Sequence, residues 1–269
     1  MVGVIIFMGV DFIFYKLFQT PIEKGYQYAG RKAAPLTSKI FAIPIFYKEL
    51  LEKYFRYYQQ LSPENKRKFE QKLCGFLYSK QFIPRYMPEG IPIEMRVFIS
   101  ATAVQLTFGL PHIYLQHFSK ILVYPDDYYS SITRRYHKGE VNPAYGIIVL
   151  SWENFKDGFL FTDDAINLGL HEMAHALRLE NIIRNEEYQF FDETLLQRFD
   201  QIADNICNDP EGSKGFIRPY ACTDVHEFFS VCVENFFERS VMFKEHFPDL
   251  YLILSRLLAQ DPIELTSNP

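Results

Sequence analysis

The stretch LGLHEMAHALRLEN runs from Leu168 to Asn181 and sets two histidines four residues apart, with a glutamate directly after the first. At about 100° per residue, Asp164, Asn167, His171, His175 and Arg178 share one stripe of a helix, and Ile166, Leu170, Met173 and Leu177 share the other. The spacing predicts an amphipathic helix whose polar edge holds both imidazoles. Residues i and i+4 lie one turn apart on one face, so the two rings can converge on one ion at the roughly 2.0–2.1 Å that zinc requires. Glu172 sits about 100° round the axis from His171, within reach of a metal-bound water without being a ligand. A random H-E-x-x-H arises about once in a hundred chains of this composition, and most such matches lack a division into polar and apolar faces.

A hydrolytic zinc site also needs a third protein ligand and an open position for water. No histidine stands at the metzincin distance after His175, because ALRLENIIRNEE has neither the Gly nor the His of that pattern. The remaining histidines, His112, His117, His137, His226 and His246, read as surface or satisfied core residues. The best carboxylates are Glu227 and Glu234 on DVHEFFSVCVENFFERS, seven residues apart on one predicted helix face. Two turns separate them by about 10.5 Å along the axis, so only one can reach the ion. Spacing does not choose between them. Glu227 has a rival role in a capping box with Asp224 as N-cap, and Glu234 has one as a solvated or supporting group.

The whole chain, 269 residues with 48% hydrophobic and 17% aromatic content, can bury a full core. Its formal charge is -5, with no Lys/Arg cluster dense enough to follow a phosphate backbone, which argues against a nucleic-acid partner. The four cysteines, Cys74, Cys207, Cys222 and Cys232, form no C-x-x-C pair. That spacing points away from a disulfide framework and toward a reducing compartment, with Cys222 and Cys232 read as small buried apolar residues.

Near the N-terminus, VGVIIFMGVDFIFYKLF is apolar but is broken by Asp11 and closed by Lys16, short of the about twenty apolar residues that cross a bilayer. It reads either as a marginal membrane anchor over residues 1–18 or as a helix packed on protein. Lys16, Lys24, Arg31, Lys32 and Lys39 would put the main domain on the cytoplasmic side of any membrane. Localisation is therefore expected to be cytoplasmic, or membrane-tethered with the catalytic domain facing the cytoplasm. Residues 1–44 divide off as this segment and a linker, and 45–269 as the compact domain.

Within the domain, FYKELLEKYFRYYQQ, LSPENKRKFEQKLCGFLYSK with Ser62 as N-cap and Pro63 at the first helical position, and IEMRVFISATAVQLTFGL read as helices. KILVYP and YGIIVLSW read as strands. DDAINLGLHEMAHALRL, EEYQFFDETLLQRFDQIADNI, DVHEFFSVCVENFFERS and FPDLYLILSRLLAQ then read as helices. The fold class is α+β, mostly helical, with a few strands placed before the histidine helix. GIIVLSW is a candidate edge along which an extended substrate pairs.

In order, GIIVLSW, HEMAHAL, RPYACTDVHEFFSVCVENFFERS and the closing AQDP resemble the Mlc titration factor A family of zinc peptidases. More distantly, the H-E-x-x-H, Tyr and EFF pieces resemble the catalytic domain of anthrax lethal factor. The resemblance spans roughly Tyr47 to Pro262, with LSPENKRKFEQKL and KQFIP similar to the family's early helical region. It implies a zincin-like metallopeptidase domain with a small mixed sheet. On that resemblance His171 and His175 are zinc ligands, Glu172 is the catalytic glutamate and Glu227 the third ligand. Tyr220 corresponds to the residue that helps hold the developing oxyanion.

The implied function is a peptidase with one catalytic Zn2+ acting on a peptide or protein substrate, with endo- versus aminopeptidase action left open. The alternative is a zinc-organised regulatory protein that binds a transcription repressor or other protein partner with little or no proteolysis. One departure stands out: the family follows its second histidine with x-Leu-Asp and a Gly-containing loop, whereas here ALR follows His175 and Arg178 replaces an acidic residue near the metal.

Overall fold

The computed structural model describes residues 43–130, 134–161, 163–183, 190–209, 211–213 and 215–267. The apolar segment 1–18, most of the linker and part of the predicted helix beginning at Glu186 lie outside the described residues. Among those described, no helix is long and apolar enough to cross a membrane.

The described residues open with helices α1 (Ile45–Tyr54), α2 (Arg56–Gln59) and α3 (Pro63–Ser79). The single helix predicted over the first two is interrupted at Phe55, whose extended backbone lets its ring bury at 3% exposure while α2 changes direction. Ser62 caps α3 by accepting from Asn65 N, with Pro63 in the first turn. Strand β1 (Gln81–Pro84) leads to α4 (Ile93–Thr107). That helix is apolar on nearly all sides and is buried almost throughout, as a central core helix must be. Its hydroxyls remain satisfied, because Thr102 Oγ1 and Thr107 Oγ1 donate to carbonyls one turn back.

Strands β2 (Lys120–Tyr124), β3 (Tyr128–Ser130), β4 (Arg135–His137), β5 (Gly139–Asn142) and β6 (Ile147–Ser151) follow. The four-stranded sheet has the order β1-β2-β6-β5, with β1, β2 and β6 parallel and β5 antiparallel; β3 and β4 form a separate hairpin. GIIVLSW is therefore not an edge. β6 is hydrogen-bonded to β2 on one side and β5 on the other, which suits its nearly continuous apolar run, and β1 and β5 form the two edges.

Helix α5 (Trp152–Leu160) starts directly from β6, capped by Ser151, and was not foreseen from the sequence. Helices α6 (Leu168–Ile183), α7 (Glu193–Asn208), α8 (Val225–Glu238), α9 (Ser240–His246), α10 (Pro248–Leu257) and α11 (Pro262–Ser267) complete the order, with a short 3₁₀ turn at Pro219–Thr223 before α8. The fold is α+β, with helices in the majority and one small mixed sheet.

Helix α6, which carries the histidines, packs against α8, α4, β5 and β6. A Cβ on Gly169 would come 2.5 Å from the Phe155 ring, so glycine there permits close approach to α5. The preceding DDAIN is not helical, contrary to expectation. Ala165 takes φ 57°, Asp164 Oδ1 accepts from Ile166 N, and Ile166 is 56% exposed instead of lying on the apolar stripe.

Candidate metal centre

Two helix starts bring the donors together. Asn167 Oδ1 accepts from Leu170 N at 2.9 Å and its carbonyl from His171 N at 2.9 Å, which fixes where α6 begins. Asp224 caps α8 by accepting from His226 N at 2.7 Å and Glu227 N at 3.0 Å. With Asp224 satisfying the helix start, Glu227 turns its two oxygens to the histidines: Oε2 lies 3.1 Å from His171 Nε2, and Oε1 3.3 Å from His175 Nε2. The two Nε2 atoms are 3.1 Å apart. Among the described residues these three side chains form the one group of His, Cys, Asp or Glu able to share an ion.

Glu234, the other carboxylate on that face, goes to the far side of the same ring. Its Oε1 lies 2.8 Å from His171 Nδ1 and accepts from Arg218 Nη2 at 2.7 Å, while Oε2 accepts from Asn167 N at 2.7 Å. With an ion bound, a proton on Nδ1 shared with this carboxylate would leave the Nε2 lone pair free for the ion, on the side of the ring where Glu227 and His175 stand. Three donors facing one another at 3.1–3.3 Å match the edges of about 3.3–3.4 Å expected for tetrahedral ligands at 2.0–2.1 Å from an ion. The residues present fit a divalent cation.

Without an ion, the two carboxylates hold a proton on the His171 ring. Burial lowers the pKa of His171, but hydrogen bonds to Glu227 and Glu234 outweigh it and raise the value to about 10. Burial acts to raise that of Glu227, yet both histidines hold it well below the usual carboxylate range. Glu172, 6% exposed, is pushed up to about 7 by burial, against the nearby histidines. Its carboxyl lies under Gly139 of β5, where an added Cβ would come 2.6 Å from Glu172 Cδ.

Tyr220, in the 3₁₀ turn, has its ring centroid 6.4 Å from that of His171, with its hydroxyl in the field of the Glu227 carboxylate. Partial burial and Glu227 push its pKa up. The structure thus brings His171, His175 and Glu227 together, with Glu172 and Tyr220 close enough to feel their charges.

Arg178 is buried at 3% exposure, grips both oxygens of Asp200 on α7 at 2.6 and 2.7 Å, and stacks over Phe229 of α8 at 5.4 Å. Its long side chain thereby pins α6, α7 and α8 together. The cysteine reading is corrected: Cys207 and Cys222 are disulfide-bonded, while Cys74 and Cys232 are free and buried. Two cysteines fifteen residues apart, in a helix end and a turn, carry no spacing signal. Arg218, Asn167 and Gly139 were missed as contributors. Only Gly139 had a signal, since glycine within a strand marks close approach of a neighbour.

A family model described as glucose-regulated metallo-peptidase M90 matches residues 31–258, and the chain belongs to this metallopeptidase family. Membership implies a metal, and the three facing donors provide a place for one. Among relatives, the chain is 26% identical to an uncharacterised protein of Synechocystis sp. over 240 residues, covering 82% of this chain and 86% of that one. It is 27% identical to Mlc titration factor A of Pectobacterium atrosepticum over 226 residues, 76% and 82% of the two chains, and 28% identical to that of Edwardsiella ictaluri over 200 residues, 65% and 75%.

Proposed function

We propose that this chain is a zinc-dependent peptidase whose domain spans residues 45–269, with His171 Nε2, His175 Nε2 and the Glu227 carboxylate holding one Zn2+. The observation that carries the reading is the convergence of those three donors beside a buried Glu172 that is not among them. When bound, zinc supplies Lewis acidity, making an attacking water acidic near neutral pH and polarising a peptide carbonyl. Glu172 takes the water proton at its carboxylate and returns it to the leaving amine. A pKa drawn upward by burial suits a group that must both accept and give back a proton. Tyr220 directs its hydroxyl toward the carbonyl oxygen as charge develops there.

The edge strand β5 starts at Gly139 against Glu172, and an extended substrate pairs along it by backbone hydrogen bonds. This replaces β6 in that role.

A second reading is favoured by the relatives' name, Mlc titration factor A: a regulatory protein whose metal site organises a surface for binding a transcription repressor. A site that only organises a surface does not call for a buried glutamate beside the ligands. Metal content and turnover of a peptide library, measured on one purified sample with and without chelator, separate the two readings. Stoichiometric zinc with chelator-sensitive cleavage supports the peptidase, and stoichiometric zinc with no cleavage supports the binder.

A further inference from the structure

The turn that presents Tyr220 is tied to α7 by a covalent bond. Cys207, in the last turn of α7, is joined to Cys222, with the Cα atoms 5.4 Å apart. Cys222 is exposed and Cys207 half-buried, whereas Cys74 and Cys232 are both buried. Thiols can therefore reach this pair and not the other two.

We propose that Cys207–Cys222 is a reversible thiol–disulfide exchange site that fixes the Tyr220 turn against the metal centre when oxidised and releases it when reduced by a dithiol protein or glutathione.

The argument rests on what else holds this segment. Upstream, Phe216 and Ile217 are buried, and Phe216 stacks on His246 at 4.7 Å and under Arg239 at 4.3 Å. Downstream, Asp224 caps α8 and Glu227 faces the histidines. Both ends are anchored without the disulfide. The 3₁₀ turn between them packs along the start of α8 and is held by local contacts: Ala221 is buried, Ala221 N donates to Arg218 O at 2.9 Å, Thr223 Oγ1 donates to Tyr220 O at 2.7 Å, and the Tyr220 ring centroid lies 6.4 Å from that of His171. Tyr220 itself is 55% exposed. Short 3₁₀ turns have poor hydrogen-bond geometry and belong to the least stable parts of a fold. Breaking the bond should free Pro219–Thr223 while α6, α7, α8 and the three metal donors stay in place.

The exchange balances without a further reagent. A partner thiolate attacks Sγ of Cys222, the more exposed residue of the pair; the S–S bond breaks, and Cys207 leaves as a thiolate that takes a proton. A second partner thiolate attacks the mixed disulfide, forming the partner's own disulfide and releasing Cys222. Two electrons pass from the partner to the chain. In a reducing compartment an accessible disulfide of this kind persists only transiently, which is the behaviour of a sensor.

The effect on turnover rests on the peptidase reading, whereas the exchange itself does not. The test uses the zinc-loaded full chain, equilibrated in glutathione buffers of oxidising and reducing poise. Cysteines are counted by alkylation after denaturation, hydrogen exchange is followed over Phe216–Asp224, and kcat, KM and metal content are measured. We expect two alkylated cysteines in the oxidised form and four in the reduced form. Exchange over Pro219–Thr223 should rise about tenfold or more on reduction, with α6 and α8 unchanged.

On the same reduction kcat should fall by about 10²–10³-fold with KM and zinc retained, the scale of losing one oxyanion donor. Cys207→Ser should behave as the reduced form in every buffer, and in Tyr220→Phe reduction should no longer alter kcat. A bond that stays closed in the reducing buffer, or equal exchange over the turn in both forms, overturns the proposal. If neither form cleaves peptide yet exchange over the turn still differs, the latch stands and the peptidase reading fails.

Discussion

Glu234 Oε1 lies 2.8 Å from His171 Nδ1, so a carboxylate seven residues beyond Glu227 sets the direction of the ring that Glu227 faces from the other side. Glu234 is 1% exposed and also accepts from Arg218 Nη2 and Asn167 N, which couples α8, the loop before it and the start of α6. Glu234→Ala should weaken zinc affinity by roughly 10–100-fold, the usual cost of losing such a partner. Glu234→Gln, which can still accept at Nδ1, should lose less. Competition against a chelating dye reads both, and unchanged affinity in the alanine variant would show that His171 needs no such support.

Glu172 and Glu227 should separate cleanly on substitution. Glu172→Gln removes the proton acceptor but no proposed ligand, so zinc should stay stoichiometric while kcat falls by roughly 10²–10⁴-fold. Because burial disfavours the Glu172 charge, the glutamine variant should melt no lower than the parent. Glu227→Ala should lose the metal. Retention of zinc by Glu227→Ala would move the third ligand elsewhere, and parent-like cleavage by Glu172→Gln would sink the general-base role.

Gly139 is the sharpest probe of the space around Glu172. A Cβ there would come 2.6 Å from Glu172 Cγ and Cδ, which belong to a flexible side chain that can move aside. Gly139→Ala should therefore cost the fold little, about 1 kcal/mol. Displacing the carboxylate should nonetheless cut kcat roughly 100-fold, the scale of a 1 Å misplacement. Thermal melting beside steady-state kinetics gives both numbers. Matched losses in stability and activity would mean that the glycine serves packing alone.

The histidine helix was legible because its signal is local: four-residue spacing puts His171 and His175 on one face whatever the rest of the chain does. Glu227 and Glu234 share a face two turns apart, and spacing alone does not separate them. Their roles come from how α8 crosses α6, which is a tertiary fact. The edge strand GEVN shows no apolar alternation, so β5 was invisible, and the apolar run at β6 drew the assignment instead. The partners of Arg178 were not legible because a helical wheel gives only the direction of Cβ, whereas a long guanidinium chain can turn to Asp200 and Phe229 beside it.

Far from the centre, Lys72 of α3 makes stability depend on pH in a direction opposite to that of most basic groups. It is 6% exposed, donates to the carbonyls of Thr107 and Leu110 at the end of α4, and lies 5.5 Å from the Tyr114 ring centroid. Burial lowers its pKa from 10.5 to about 7. The unfolded chain therefore binds more protons than the folded one between those values. The contribution of Lys72 is fully present above the unfolded pKa and is lost as pH falls through about 7, with a slope of at most about 1.4 kcal/mol per pH unit. Lys72→Met removes this dependence but leaves two carbonyls short of a donor, each worth about 1–3 kcal/mol. Denaturant unfolding of parent and variant at pH 7, 8.5 and 10 should show the gap between them widening toward alkaline pH. A constant gap would mean that Lys72 remains charged in the folded protein and serves only as a helix cap.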